Sequence, residues 1–195
     1  DMKTIIAATD FSPVSLNAVN FAADMALAID ASLLLFNTYN IPVSYSDVPV
    51  LLVSVDEIKK SSEAGLDKLK EKILHVTSGK LTVNTEARMG NTVDELEELC
   101  KAIQPFAVVM GAKGSSGIEK ILFGSTALTA IRHLTWPVIC VPAGKEYGKG
   151  IRKIGFACDF REVLETTPVK FIKQIVKEFN AELHIINVDY KEKHF

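Results

Sequence analysis

Cysteine, histidine and long apolar runs are scarce in this chain, and each scarcity removes a class of function. The 195 residues hold only three cysteines, Cys100, Cys140 and Cys158, too scattered and odd in number for a disulfide framework or a paired-cysteine metal knuckle. Cys140 lies inside the apolar stretch 137–142 and reads as a small core residue. A reducing, cytoplasmic setting is the expectation. The four histidines, His75, His133, His184 and His194, show neither i,i+4 pairing nor metal-ligand spacing, so no metal ligand is assigned. No apolar run approaches the ~18–20 residues of a membrane span, and residues 1–6 lack the charged and apolar regions of a secretory signal. The formal net charge is −2, so neither nucleic acid nor an anionic membrane is an expected partner.

Several catalytic signatures are missing as well. No window spells the Walker A loop. The first apolar run ends in Ala8-Thr9-Asp10 rather than in the glycines of a dinucleotide fingerprint. Gly114-Ser115-Ser116-Gly117 is not the G-x-S-x-G nucleophile elbow. No catalytic residue is assigned.

What the chain does have is apolar periodicity, with 48% hydrophobic residues to build a core. Residues 3–10 read as a strand, and Ser12-Pro13 as a helix start with proline in an early position. Leu16, Val19, Phe21, Ala22, Met25, Ala26 and Ile29 carry that helix to about Asp30. Residues 31–37 form a continuous apolar run, the mark of a strand buried on both faces. Residues 39–55, with Pro42 and Pro49, read as a long functional or mobile loop. A helix over 56–78 turns Ile58, Leu66, Leu69, Ile73 and Leu74 inward, and residues 81–88 alternate like a strand. Asn91 or Thr92 caps a helix through Leu96, Leu99 and Ile103, whose Asp94, Glu95, Glu97 and Glu98 read as a solvated face. Strands at 106–110 and 137–141 flank a helix at 125–133, and Trp136 reads as core or rim packing. This alternation predicts an α/β fold with a doubly wound parallel sheet. Ligands of such sheets gather at the strand carboxyl ends, beside the topological switch point, where Asp10, Thr38 and Gly111 fall.

The glycines there are spaced informatively. Gly111 and Gly114 are separated by two residues, and nine more lead to Gly124-Ser125. A glycine-rich loop running into a helix lets backbone N–H groups approach an anion, which the positive end of the helix dipole also attracts. Ser125 and Thr126 read as helix caps or as phosphate-oxygen partners. The plainer alternatives are a tight strand-to-helix connection for the glycines, and a turn or helix-capping role for Asp10.

A polar, glycine-rich linker at 144–150 precedes a second copy of the opening pattern. Residues 154–160 echo 5–11, and Leu183, Ile185 and Asn187 echo Leu33, Leu35 and Asn37. The predicted organisation is a first domain over 1–143, a linker over 144–150, and the start of a second domain over 151–195. Three elements cannot bury a doubly wound sheet, so the second copy is expected to be truncated, or else to pack on the first unit or on a partner chain.

Taken together these residues resemble the universal stress protein family, whose hallmark glycine spacing Gly111, Gly114, Gly124 and Ser125 reproduce. The Thr9-Asp10 pair and the Pro137-Val138 start of the last strand look like that family too. The resemblance spans residues 3–142, with 151–189 as the opening of a tandem repeat. It implies a five-stranded sheet in the order 3-2-1-4-5, of the adenine nucleotide alpha hydrolase-like type. It also implies an ATP site, with or without Mg²⁺, in a stress-response sensing or signalling module. Ala8, Thr9 and Asp10 would then lie beside the adenosine, Thr38 would offer its backbone to adenine, and Met110 and Gly111 would line the ribose. Gly114, Gly124, Ser125 and Thr126 would hold the phosphates. Ala8 departs from the proline frequent in the nucleotide-binding branch, and Lys113 occupies a variable loop position. Any ATP hydrolysis would be slow, since no general base or arginine finger is assigned. Family members commonly dimerise through the fifth strand, here residues 138–141, or by tandem fusion. A nucleotide-free dimeric scaffold and an adenylating enzyme of the same fold are the alternatives.

Overall fold

The computed structural model describes residues 2–41, 54–112, 124–148, 150–158 and 168–187. It divides into two compact units, Asp1–Glu146 and Tyr147–Phe195.

The first unit alternates strand and helix: β1 (Lys3–Ala8), α1 (Pro13–Ala28), β2 (Ala31–Tyr39), α2 (Val55–Val76), β3 (Val83–Met89), α3 (Thr92–Ile103), β4 (Ala107–Ala112), α4 (Ser125–His133) and β5 (Val138–Pro142). The five strands are parallel, in the order β3-β2-β1-β4-β5. Alternate side chains of each strand feed opposite faces. On one face Ile6, Leu34, Phe36 and Val108 pack with Leu96 and Leu99 of α3 and Ala130 of α4, while Trp136 and Val138 cover the margin. Ile5, Leu33 and Leu35 are fully buried, as is Met25 of α1, and Leu66 of α2 is nearly so. The long apolar runs of the central strands, residues 5–8, 33–36 and 107–110, follow from helices covering both faces.

Local chemistry sets the element ends. Ser12 caps α1, accepting from the Ser15 N–H, and Pro13 sits at the first helical position, where its missing N–H costs nothing. Helix α2 begins one residue earlier than its periodicity suggests, because Ser54 and Glu57 form a reciprocal capping box. Of the two candidate caps for α3, Asn91 is the N-cap, accepting from the N–H groups of Val93 and Asp94. Of the acidic residues of α3, Asp94 and Glu98 are exposed and Glu95 and Glu97 half-buried, and Lys101 bridges Glu97 at 3.0 Å and Glu98 at 2.9 Å. Trp136 donates its indole N–H to Gln104.

The second unit comprises β6 (Lys153–Cys158), α5 (Val169–Phe179) and β7 (Glu182–Asn187), with β6 and β7 parallel. Ile154 stands opposite Leu183 just as Ile5 stands opposite Leu33. The sequence echo is therefore also an echo of register.

Candidate functional site

The candidate site lies where the central strand stops short. β1 pairs with β2 only as far as Ala8 opposite Phe36, and with β4 as far as Ala7 opposite Val109. Both neighbours run on: β2 continues to Tyr39 against β3, and β4 to Ala112 against β5. With strands spaced about 4.8 Å apart, dropping the middle one opens a notch about 10 Å wide at the carboxyl edge. Asn37, Thr38 and Tyr39 overhang one side of it, and Gly111 and Ala112 the other, while Met110 stands level with Ala8.

The floor of the notch is the β1–α1 turn. Thr9 is buried and its hydroxyl shares a hydrogen bond of 2.9 Å with Ser15, while the Phe11 N–H donates to that same hydroxyl at 3.0 Å. Asp10 is exposed and its Oδ1 accepts from the Ser12 N–H at 3.0 Å. Partial burial pulls the Asp10 carboxyl pKa upward, but the hydrogen bonds from Ser12 and Ser15 outweigh it and hold the pKa below its ordinary value. Asp10 is thus both the turn residue of the plainer reading and an ionised carboxylate at the strand end. Phe11 takes a left-handed φ of 63°, unusual for a bulky residue, and its ring lies over Gly65 of α2. A Cβ at Gly65 would come within 2.8 Å of the Phe11 ring.

Three expectations are corrected by the backbone. The first strand ends at Ala8, before Thr9 and Asp10. Gly111 is not the start of a loop: it belongs to β4 and pairs with Val141. A Cβ on Gly111 would sit 2.6 Å from Cγ1 of Val14 and 2.9 Å from its carbonyl oxygen, so the missing side chain admits the first turn of α1. Ser125 and Thr126 are not caps either. Gly124 is the N-cap of α4, in an extended conformation and with no side-chain cap bond, and the Leu128 N–H donates to its carbonyl. An N-cap needs non-helical backbone angles, which Ser125 and Thr126, already within the helix, do not have. Both are exposed, at the N-terminal end of a helix that returns between parallel strands, and so at the carboxyl edge of the sheet. Ala8 and Met110 are buried beneath the notch, and Thr38 is half-buried, its hydroxyl 2.6 Å from that of Thr92. Gly114 and Lys113 lie outside the described residues, as does most of the 39–55 segment.

Pattern reading missed Asn37, which is buried and donates from Nδ2 to the Thr9 carbonyl at 2.7 Å. Its Oδ1 accepts the Ser62 hydroxyl of α2 at 2.5 Å. A polar residue ending an otherwise apolar strand was the available signal.

The model of the universal stress protein family matches residues 2–142. The chain belongs to the universal stress protein family. A universal stress protein of Methanocaldococcus jannaschii is 30% identical over 149 residues, which cover 74% of this chain and 84% of the relative. Among solved structures, a universal stress protein from Archaeoglobus fulgidus is 20% identical with a TM-score of 0.72, the match covering 97% of this chain and 68% of that one. A universal stress protein solved in complex with cAMP is 25% identical with a TM-score of 0.53, covering 73% and 98% respectively. This member of the family has no cluster of three or more metal-ligating side chains among its described residues, and no described helix is long and apolar enough to cross a membrane.

Proposed function

We propose that the first unit is an ATP-binding sensing module that works in stress adaptation by binding, with its nucleotide seated in the notch at the end of β1. The single observation that carries this reading is the convergence on one sheet edge of the notch, the Asp10 carboxylate and the helix N-terminus at Gly124, which has no side-chain cap. Backbone donors and the positive dipole end suit phosphate oxygens, and the notch is wide enough for a planar base. A universal stress protein solved with cAMP supports an adenine nucleotide as the ligand class. Asp10 is the carboxylate that would meet Mg²⁺ arriving on the phosphates, the usual way this ion is held when one or two carboxylates suffice.

Nucleotide would join β1, β2 and the start of α4, so occupancy alters the surface those elements present. A nucleotide-free scaffold draws its support from β5, an outer strand whose Val138, Ile139 and Cys140 are only half-buried, and which we propose as a homodimer edge. Calorimetric titration with ATP and Mg²⁺ separates the two. Saturable binding is expected in the wild type, together with its loss in Gly124→Glu. That variant keeps a backbone open to any residue, φ −63°, and its carboxylate suits the helix while repelling phosphate. Absence of binding at millimolar ATP, with self-association intact, would leave the scaffold.

A further inference from the structure

Where β1 turns away into α1, a buried side-chain pair, Asn37 and Ser62, takes over the end of the β1–β2 ladder. In a parallel ladder residues of one strand alternate in facing their neighbour, and each facing residue donates and accepts on the same side. The Thr9 N–H donates to Phe36 O at 2.9 Å, and the Leu33 N–H to Thr82 O on the β3 side. Even-numbered residues of β2 therefore face β1, and the next bond would run from the Thr38 N–H to the Thr9 carbonyl. It does not form: pairing ends at Ala8 opposite Phe36, and the Thr9 carbonyl takes the Asn37 side-chain amide instead. Ser62 fixes that amide from the α2 side. The second unit is an internal comparison, because in the same register its ladder closes one pair further, with Cys158 opposite Asn187. No counterpart of α2 stands among its described residues to hold an amide in place.

We infer that Asn37 is a positioning residue for base recognition at the site, resting on the nucleotide reading above. By occupying the Thr9 carbonyl it takes the partner of the Thr38 N–H, while the Phe11 N–H, next in register for the Thr38 carbonyl, goes to the Thr9 hydroxyl. Both Thr38 groups are then directed into the notch. A donor and an acceptor on one strand edge complement a base edge that pairs a ring-nitrogen acceptor with an exocyclic amine. Adenine presents that arrangement, whereas guanine presents an oxygen acceptor where adenine has its amine. The Asn37–Ser62 pair thus turns a ladder end into an adenine reader.

The test uses Asn37→Ala and the double variant Asn37→Ala with Ser62→Ala, which removes the stranded hydroxyl should the single variant fold poorly. ATP, GTP and tripolyphosphate are titrated in parallel, and hydrogen exchange is followed at the Thr38 amide. Without nucleotide, the Thr38 amide is expected to exchange freely in the wild type and to be protected in the variants, as it closes on Thr9. The preference for ATP over GTP should fall at least tenfold, with tripolyphosphate binding unchanged within twofold. ATP binding by the wild type with undiminished discrimination in a folded variant overturns the role of Asn37 alone. Absence of ATP binding by the wild type overturns the proposed function and this inference with it.

Discussion

Gly111 separates a packing role from a ligand role more sharply than any other residue of the hallmark. Substituting alanine adds one methyl group in a strand, which by backbone entropy alone favours folding by about 0.5–1 kcal/mol. Against that, the new Cβ would stand 2.6 Å from Cγ1 of Val14, 2.9 Å from its carbonyl oxygen and 3.0 Å from its carbonyl carbon. The first contact is relieved by a rotamer change. The other two are backbone atoms of α1, so that helix must shift from β4, and overpacking of this kind costs about 1–3 kcal/mol. Because backbone is involved, the upper end applies, and the net loss is about 2 kcal/mol. For a unit of this size that lowers the melting temperature by about 4–8 °C. Urea denaturation and thermal melts of Gly111→Ala without nucleotide provide the measurement. A variant as stable as the wild type, within about 0.5 kcal/mol, would refute the packing argument. Gly111 would then owe its place to the ligand.

Acid unfolding tests the turn. Because the folded Asp10 pKa lies below its ordinary value, Asp10 contributes stability that is fully present above the unfolded pKa and lost as pH falls through the folded one. Asp10→Asn should therefore flatten the fall in urea midpoint between about pH 5 and pH 3, and an unchanged slope would show that the Ser12 and Ser15 hydrogen bonds do not favour the ionised carboxyl. The thiol of Cys100 is fully buried, and burial, with a smaller contribution from Glu97, pushes its pKa to about 11. Peptide-resolved alkylation at about pH 8 should leave Cys100 unmodified until the protein is unfolded in urea, and rapid labelling of the native protein would contradict its place in the core.

The strand and helix order was legible because apolar periodicity reports which faces are covered. Residues 31–37 read as a strand covered on both sides, and Leu33, Leu35 and Phe36 are fully buried. Their second-unit counterparts Leu183, Ile185 and Ile186 are apolar too, yet 38%, 61% and 52% exposed, since an apolar strand is buried only where other elements cover it. Side-chain hydropathy also carries no record of where a backbone ladder stops. That is why β1 read as running to Asp10 and β4 as ending before Gly111. The same blindness hid Asn37, Ser62 and the Phe11–Gly65 contact, because each joins residues distant in the chain. Ser125 and Thr126 looked like caps because composition cannot say which residue takes the last extended backbone angles before a helix.

The notch follows from a contrast between two short sequences. At the end of β1 comes Thr9-Asp10-Phe11-Ser12-Pro13, in which nothing favours a further strand pair. Phe11 turns left-handed, Ser12 caps, and Pro13 fixes the first helical φ. At the equivalent height on β2, Asn37-Thr38-Tyr39 stays extended, since β3 continues beside it to Met89. A sheet whose central strand turns away early while both flanking strands run on must expose backbone edges, and exposed edges in a confined slot need partners. Asn37 satisfies one carbonyl from within. The adjoining edge of Thr38 stays directed at the slot, where the proposed site would use it against a planar base.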